Sequence, residues 1–264
     1  MPEIIEEKDG RVATITLNRP EVRNAITRDM FFELLDILNR LWLDRDVGCV
    51  VLTGAGDAFS AGGDVKAMVA RASGGEEFDF DKQAEGLRAI MECSRLIHEM
   101  PKPVIASLPG PAAGAALAMA LACDIRLAAE DIKITTAFAN VGLSGDFGGS
   151  WFLTKMVGTA KARELYYLAA VITSQEAEKL GIINKTVPKE KLGEETAMWA
   201  KHIAGGPSVA LGYMKRNMNL SEHAPLSSLL DQEALYMTRS FYTDDHVEAA
   251  KAFVEKRKPN FKGS

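Results

Sequence analysis

Along the first seventeen positions apolar and polar residues alternate, and the spacing then widens to three and four. Residues 3–17 read as a hairpin, with two short runs flanking Asp9-Gly10 and the second alternating through Ala13, Ile15 and Leu17. Asn18-Arg19-Pro20 ends it. Thr27 stands as an N-cap for a helix running to about Asp44, whose Met30, Leu34, Leu38 and Leu41 share one face. Val47 to Thr53 is an apolar run of strand length, followed by a Gly54-Ala55-Gly56-Asp57 loop. A short helix is expected to start near Asp64. The stretch Ala72-Ser73-Gly74-Gly75-Glu76-Glu77 then breaks the pattern and is a candidate mobile loop.

Helical spacing returns from Gln83 to Met100 and stops at Pro101-Lys102-Pro103, after which Val104 to Leu108 reads as a buried strand. The rhythm repeats with a small-residue helix over 113–122, strands over 123–128 and 131–135, and a glycine-rich turn into a further helix. Strands interleaved with helices predict an α/β or stacked β-β-α core and exclude an all-helical bundle. Beyond Gly205-Gly206-Pro207 the chain is wholly helical in pattern. Its apolar stripes, with Leu229, Leu230, Leu235 and Tyr236, suit packing on a neighbour. Two regions are therefore expected, residues 1–204 and residues 205–264.

Composition narrows the function. The 264 residues are 47% hydrophobic and 25% charged, the mix of a globular protein with a sizeable core. The net charge of −5 is spread without long blocks of one sign, which argues against a nucleic-acid partner. Lys256-Arg257-Lys258 is read as a solvated helix end. Cys49, Cys93 and Cys123 are odd in number, far apart and set among apolar residues, as in a reducing compartment. His98, His202, His223 and His246 lack metal-ligand spacing, so no metal site is expected. The N-terminus does not resemble a targeting peptide, and the most apolar stretch, Ala112 to Ala122, is too short to cross a bilayer. A cytoplasmic enzyme with no membrane partner is the expectation.

Two segments carry candidate chemistry. In Asp57 to Val65, which holds Phe59-Ser60-Ala61-Gly62-Gly63-Asp64, a strand gives way through small residues to a helix start. Pro103 to Ala116, with Gly110, Gly114 and Ala115, repeats that arrangement. Amides at a helix start lack intrahelical partners and face a developing negative charge favourably. Either segment alone is commonly tight packing; two of them are more informative.

With Leu17-Asn18-Arg19-Pro20-Glu21-Val22-Arg23-Asn24-Ala25, Lys102 to Ala106, Gly110 to Asp124, Gly142 to Ser150 and Phe253 to Arg257, these segments resemble the crotonase (enoyl-CoA hydratase/isomerase) superfamily over nearly the whole chain. The resemblance implies a spiral of stacked β-β-α units over 1–204 holding an acyl-CoA site. It also implies a C-terminal helical trimerisation region over 205–264, in a homotrimer or homohexamer. By the same likeness the Gly63 and Ala115 amides form an oxyanion hole, and Arg23, Ala25 and Ala61 contact coenzyme A. Phe253 and Lys256 reach it from a neighbouring subunit. No permanently bound cofactor is implied; coenzyme A arrives as part of the thioester substrate. Two fixed amide donors stabilise the oxygen of a thioester enolate, and losing one typically costs about 3–4 kcal/mol.

The resemblance breaks at the acid–base residues. The two positions where hydratases of the family carry glutamates hold Ala118 and Phe138 here. One carboxylate remains, Asp146, where several isomerases of the superfamily carry their acidic base. Apolar neighbours Phe138, Phe147 and Trp151 would raise its pKa. Its alternative role is to N-cap the helix beginning near Gly148. Asp64 reads as a cap, Glu76, Glu77 and Glu85 as a solvated face, and Met68, Met119, Trp151 and Phe152 as acyl-pocket or core residues. Enoyl-CoA isomerisation with Asp146 as single acid/base is the leading expectation. The alternatives are hydration with Asp146 activating water, nucleophilic attack by Asp146 on an aryl-CoA with His98 nearby, and a non-catalytic acyl-CoA-binding protein. The loop from 70 to 85 is expected to choose the acyl group.

Overall fold

The computed structural model describes residues 2–64 and 79–264. The expected hairpin is present as β1 (Ile4–Asp9) and β2 (Val12–Leu17), paired antiparallel; its two-residue turn is Gly10-Arg11, one position later than expected, because Asp9 still pairs with Val12 in the ladder. From β2 the chain enters α1 (Arg28–Leu43), where the Thr27 side chain accepts a hydrogen bond from the Met30 amide at 3.2 Å. Strands β3 (Cys49–Gly54), β4 (Val104–Leu108), β6 (Ile125–Ala129) and β9 (Lys185–Val187) then add in parallel, giving a six-stranded sheet of order β1-β2-β3-β4-β6-β9. Leu52 lies in register with Ile15 on one side and Ala106 on the other. All five residues of β4 are buried, as expected of a parallel strand covered on both faces.

A smaller sheet joins β5 (Ala112–Ala113), β7 (Lys133–Thr135) and β8 (Ile172–Thr173). The alternation of strands and helices is the stacked β-β-α core that the pattern predicts.

The helix expected over 83–100 is two helices, α2 (Phe80–Ile90) and α3 (Glu92–Glu99), with Met91 between them. Asp79 caps α2 through the Lys82 amide, so the helix starts three residues early, and apolar spacing continues through Met91 and hides the break. The small-residue helix α4 (Gly114–Ala122) buries every residue from Ala115 to Ala122. A helix apolar on all sides belongs inside, and its methyl side chains let neighbouring elements approach closely. The expected strand at 123–128 begins at Ile125, because Cys123 closes α4 and Asp124 holds the Val104 amide at 2.7 Å.

Further along lie α5 (Gly149–Tyr167), α6 (Ser174–Lys179) and α7 (Lys189–Ala204), the last packed over β3, β4 and β6. The C-terminal region is helical, as expected: α8 (Ser208–Ser221), α9 (Leu226–Phe241) and α10 (Asp244–Val254). Lys215 ties α8 to the core, its buried ammonium donating to Asp124 Oδ2 at 2.7 Å and the Ile97 carbonyl at 2.8 Å. By contrast α9 buries no residue within the chain.

Candidate active site

Three backbone segments run side by side at the head of α4. The Ala61 amide donates to the Arg23 carbonyl (2.9 Å), Ile26 to Gly62 (2.8 Å) and Asp64 to Ile26 (3.2 Å). On the other flank Ser60 donates to the Pro111 carbonyl (3.2 Å) and Ala113 to Ser60 (3.1 Å). Arg23 and Ala61 are thereby brought together, with Ala25 and Gly63 next to the paired Ile26 and Gly62.

Asn24 and Ser60 hold this arrangement, and neither was singled out from the sequence. Asn24 is fully buried; its side-chain amide donates to the carbonyls of Ala55 and Ala58, both at 2.9 Å, and its oxygen accepts from the Arg19 amide at 2.9 Å. Ser60 Oγ donates to the Asn24 carbonyl at 2.7 Å and accepts from the Gly62 amide at 3.1 Å. Buried polar groups with every partner satisfied fix geometry.

The two expected donors meet here. Neither the Gly63 nor the Ala115 amide has a hydrogen-bond partner among the described residues. Ala113 caps α4 without a side-chain bond, leaving the first amides of that helix open. Gly62 packs directly on this turn. A β-carbon at 62 would lie 2.7 Å from the Ala113 carbonyl oxygen and 3.5 Å from the Ala115 amide nitrogen. Its φ of +90° also suits glycine. Gly63 opens on a cavity of about 420 Å³, whose apolar wall includes Ile26, Phe31, Leu87 and Ile90.

Phe31 of that wall stacks at 4.6 Å on Phe147, the residue that follows Asp146. A second cavity of about 380 Å³ lies beyond, lined by Met91, Ser94, His98, Phe147, Trp151 and Phe152. Trp151 and Phe152 are therefore cavity residues, whereas Met119 is core. His98 packs edge-on against both aromatics, and its pKa is lowered, chiefly by burial.

Asp146 does not cap α5. Gly148 occupies the cap position with no side-chain bond, and only the Asp146 main-chain carbonyl is used, by the Gly149 amide at 3.1 Å. Asp146 Oδ1 is buried without a partner among the described residues. Burial pushes the carboxyl up to about 6. Flanking Phe147, a non-glycine residue at φ +50°, marks a strained loop of the kind found at functional sites.

Beside Asp146 stands a residue absent from the sequence-based candidates, Tyr166. Its ring stacks on Phe138 at 6.1 Å, and its hydroxyl reaches the floor formed by Ala118 and Gly149. A β-carbon at 149 would lie 2.6 Å from that hydroxyl oxygen and 2.9 Å from the Ala118 β-carbon. Burial, and secondarily the charge of Asp146, pushes the phenol up to about 12.

Two further candidates stand apart. Phe253 is exposed at the end of α10 and Lys256 just beyond it; no hydrogen bond or ring contact among the described residues joins them to the Arg23–Ala25 loop. Asp64 pairs with Arg19 at 3.4 Å, and Glu85 is exposed on α2. The helix start after Asp64, the Ala72–Glu77 loop, Met68, Glu76 and Glu77 lie outside the described residues, as does most of the 70–85 segment. Among the described residues no group of His, Cys, Asp or Glu could hold a metal ion, and no helix is long and apolar enough to cross a membrane.

The mostly parallel sheet, with open amides at Gly63 and Ala115 on the turns that follow β3 and β5 and a part-buried carboxyl at Asp146, defines a class of mixed α/β protein. The chain belongs to the enoyl-CoA hydratase/isomerase (crotonase) family, whose sequence model matches residues 7–264. It is 34% identical over 260 residues to 1,2-epoxyphenylacetyl-CoA isomerase of Escherichia coli (strain K12), covering 98% of both chains. Among solved structures it is similar to an enoyl-CoA hydratase from Bacillus anthracis, with a TM-score of 0.92, 29% identity and full coverage of both chains. An enoyl-CoA hydratase from Polaromonas sp. JS666 gives a TM-score of 0.91 and 30% identity over 98% of this chain and 99% of that one.

Proposed function

We propose that this chain is an acyl-CoA isomerase that shifts a double bond through a thioester enolate. The thioester carbonyl accepts hydrogen bonds from the Gly63 and Ala115 amides, and Asp146 takes a proton from one carbon of the acyl chain and returns it to another. Arg23, Ala25 and Ala61 hold the coenzyme A portion, with Phe253 and Lys256 of a second copy completing that contact. The uncovered apolar residues of α9 and α10 give the second copy its docking face.

The observation that carries this reading is the Asp146 carboxyl, whose Oδ1 is buried without a partner among the described residues and which burial raises to about 6. A base with a pKa near the working pH can both accept and return a proton. Ala118 and Phe138 offer no second carboxylate, which favours a one-base proton shift over hydration. The curated relative at 34% identity is named as an acyl-CoA isomerase, in keeping with this reaction class. The test is Asp146→Asn: turnover of a 3-enoyl-CoA is expected to disappear while thioester binding persists. Unchanged turnover sinks the proposal. Crotonyl-CoA consumed in preference to the 3-enoyl-CoA by the unmodified enzyme would establish hydration instead.

A further inference from the structure

Helix α10 ends in a turn that normally belongs to glycine. The Arg257 amide donates to the Ala252 carbonyl at 3.0 Å and the Lys256 amide to the Phe253 carbonyl at 3.3 Å. That pair of bonds closes a helix around one left-handed residue, and here the residue is Lys256, at φ +53°. A residue with a side chain is strained in that conformation, which persists only where the surroundings hold it. Arg257 supplies the hold. Its guanidinium donates to both oxygens of Glu248, at 2.5 and 3.0 Å, and the Asn260 amide donates to the same carboxylate at 2.9 Å. Further on, buried Asp245 accepts from the Lys262 and Gly263 amides at 2.7 and 2.9 Å, so the tail is tied back along α10. The basic run expected to be a solvated helix end is therefore divided in its use. Arg257 is engaged within the chain, whereas the Lys256 ammonium, three residues after exposed Phe253, has no ion-pair partner among the described residues.

We infer that Glu248 and Arg257 are positioning residues for coenzyme A: their ion pair fixes the left-handed turn and so aims the Lys256 ammonium at a phosphate of a coenzyme A thioester held by a second copy of the chain. The inference rests on the proposed contact of Phe253 and Lys256 with that ligand. A bidentate arginine–carboxylate pair is directional as well as strong, and a third donor on the same carboxylate stiffens it. Arg257, and after it the Asn260 amide, holds the Glu248 carboxyl down to about 2, so the pair stays ionised at any working pH. Lysine is a point charge on a flexible stem, and the backbone that carries it decides what it can reach. Were the turn merely a stop for α10, glycine would serve it without strain. Glycine would also leave nothing to meet a phosphate. The side chain at 256 is what the strain obtains, and the clamp on Arg257 is what keeps it in place.

The test compares butyryl-CoA with butyryl-pantetheine, which carries the same thioester and lacks the nucleotide and its phosphates. Neither ligand has a double bond to shift, so calorimetric affinities are independent of the reaction assigned to Asp146. Arg257→Ala is expected to bind butyryl-CoA about tenfold more weakly, the worth of one charge-assisted contact, and butyryl-pantetheine as the parent does. Lys256→Ala is expected to lose the same factor, and adding Arg257→Ala to it should cost nothing more. Parental butyryl-CoA affinity in Lys256→Ala overturns the proposed contact and the inference together. If Lys256→Ala weakens binding and Arg257→Ala does not, the inference alone falls. It falls as well if Arg257→Ala weakens both ligands equally, or if the two losses multiply in the double variant. Should Arg257→Ala not fold, Glu248→Gln keeps the shape, removes the charge and is expected to weaken butyryl-CoA alone; parental affinity in that variant overturns the inference.

Discussion

Replacing Asp146 by asparagine keeps the shape of the side chain and removes its ionisation, so it measures what the buried charge costs the fold. In the folded chain the carboxyl titrates near 6 instead of 3.8, because burial disfavours the charged form. The folded state therefore holds a proton that the unfolded state has already released between about pH 4 and 6. Across that window the stability of the unmodified chain falls as pH rises, and it stays lowered above it. At roughly 1.4 kcal/mol per unit, a shift of about two units amounts to about 3 kcal/mol near neutral pH. Asp146→Asn should be more stable than the parent by up to that amount at about pH 7.5 and lose most of the advantage at about pH 4. Urea unfolding of both proteins at the two pH values and one protein concentration gives the comparison. Had the carboxylate stabilised the start of α5, the sign would reverse, and the asparagine variant would be weaker at neutral pH by about 0.3–1 kcal/mol. An advantage independent of pH, or a deficit at about pH 7.5, refutes the reasoning.

Three further outcomes are expected. If Asp146 acts first as a base, kcat/KM should fall tenfold per pH unit below about 6 and level off above it; a profile flat through that range removes Asp146 from the proton-transfer step. Gly62→Ala sets a β-carbon 2.7 Å from the Ala113 carbonyl and disturbs both open amides, so kcat should fall by roughly a hundredfold or more, and a parental kcat argues against their role. Ala118→Glu should not create a hydratase. Its side chain meets Gly149 and the Tyr166 hydroxyl, with a cost of about 1–3 kcal/mol from overpacking, and thermal melting should show partial recovery when Tyr166→Leu is added.

Much of the molecule was legible in the sequence where the signal is local. Gly10 marked the first turn to within one residue, Thr27 the start of α1, and the small residues at 61–64 and 110–116 the two turns that end in open amides. The C-terminal stripes announced helices whose apolar faces the chain itself does not cover. Less legible were features that depend on distant partners. Asn24 secures carbonyls more than thirty residues away, and nothing in its neighbourhood marks it as a fastener. Tyr166 sits among Leu165, Tyr167 and Leu168, an apolar stretch that reads as helix packing, and only the approach of Gly149 and Ala118 shows its hydroxyl at the site. The break at Met91 escaped for a related reason, since periodicity reports which face is apolar and is blind to a change of axis.

The amides at 63 and 115 belong to the main chain, and this sets how the site can change over time. A side-chain acid disappears with one codon; a peptide N–H at a given position persists through almost every substitution and is lost chiefly by displacement. In the proposed reaction, inheritance is therefore uneven. The part that activates the carbonyl is guarded by the packing of Gly62, Ser60 and Asn24, while the part that moves protons can be traded residue by residue. Positions 118, 138, 146 and 166 surround one small volume, and it is among them that a new reaction could arise without refolding the rest.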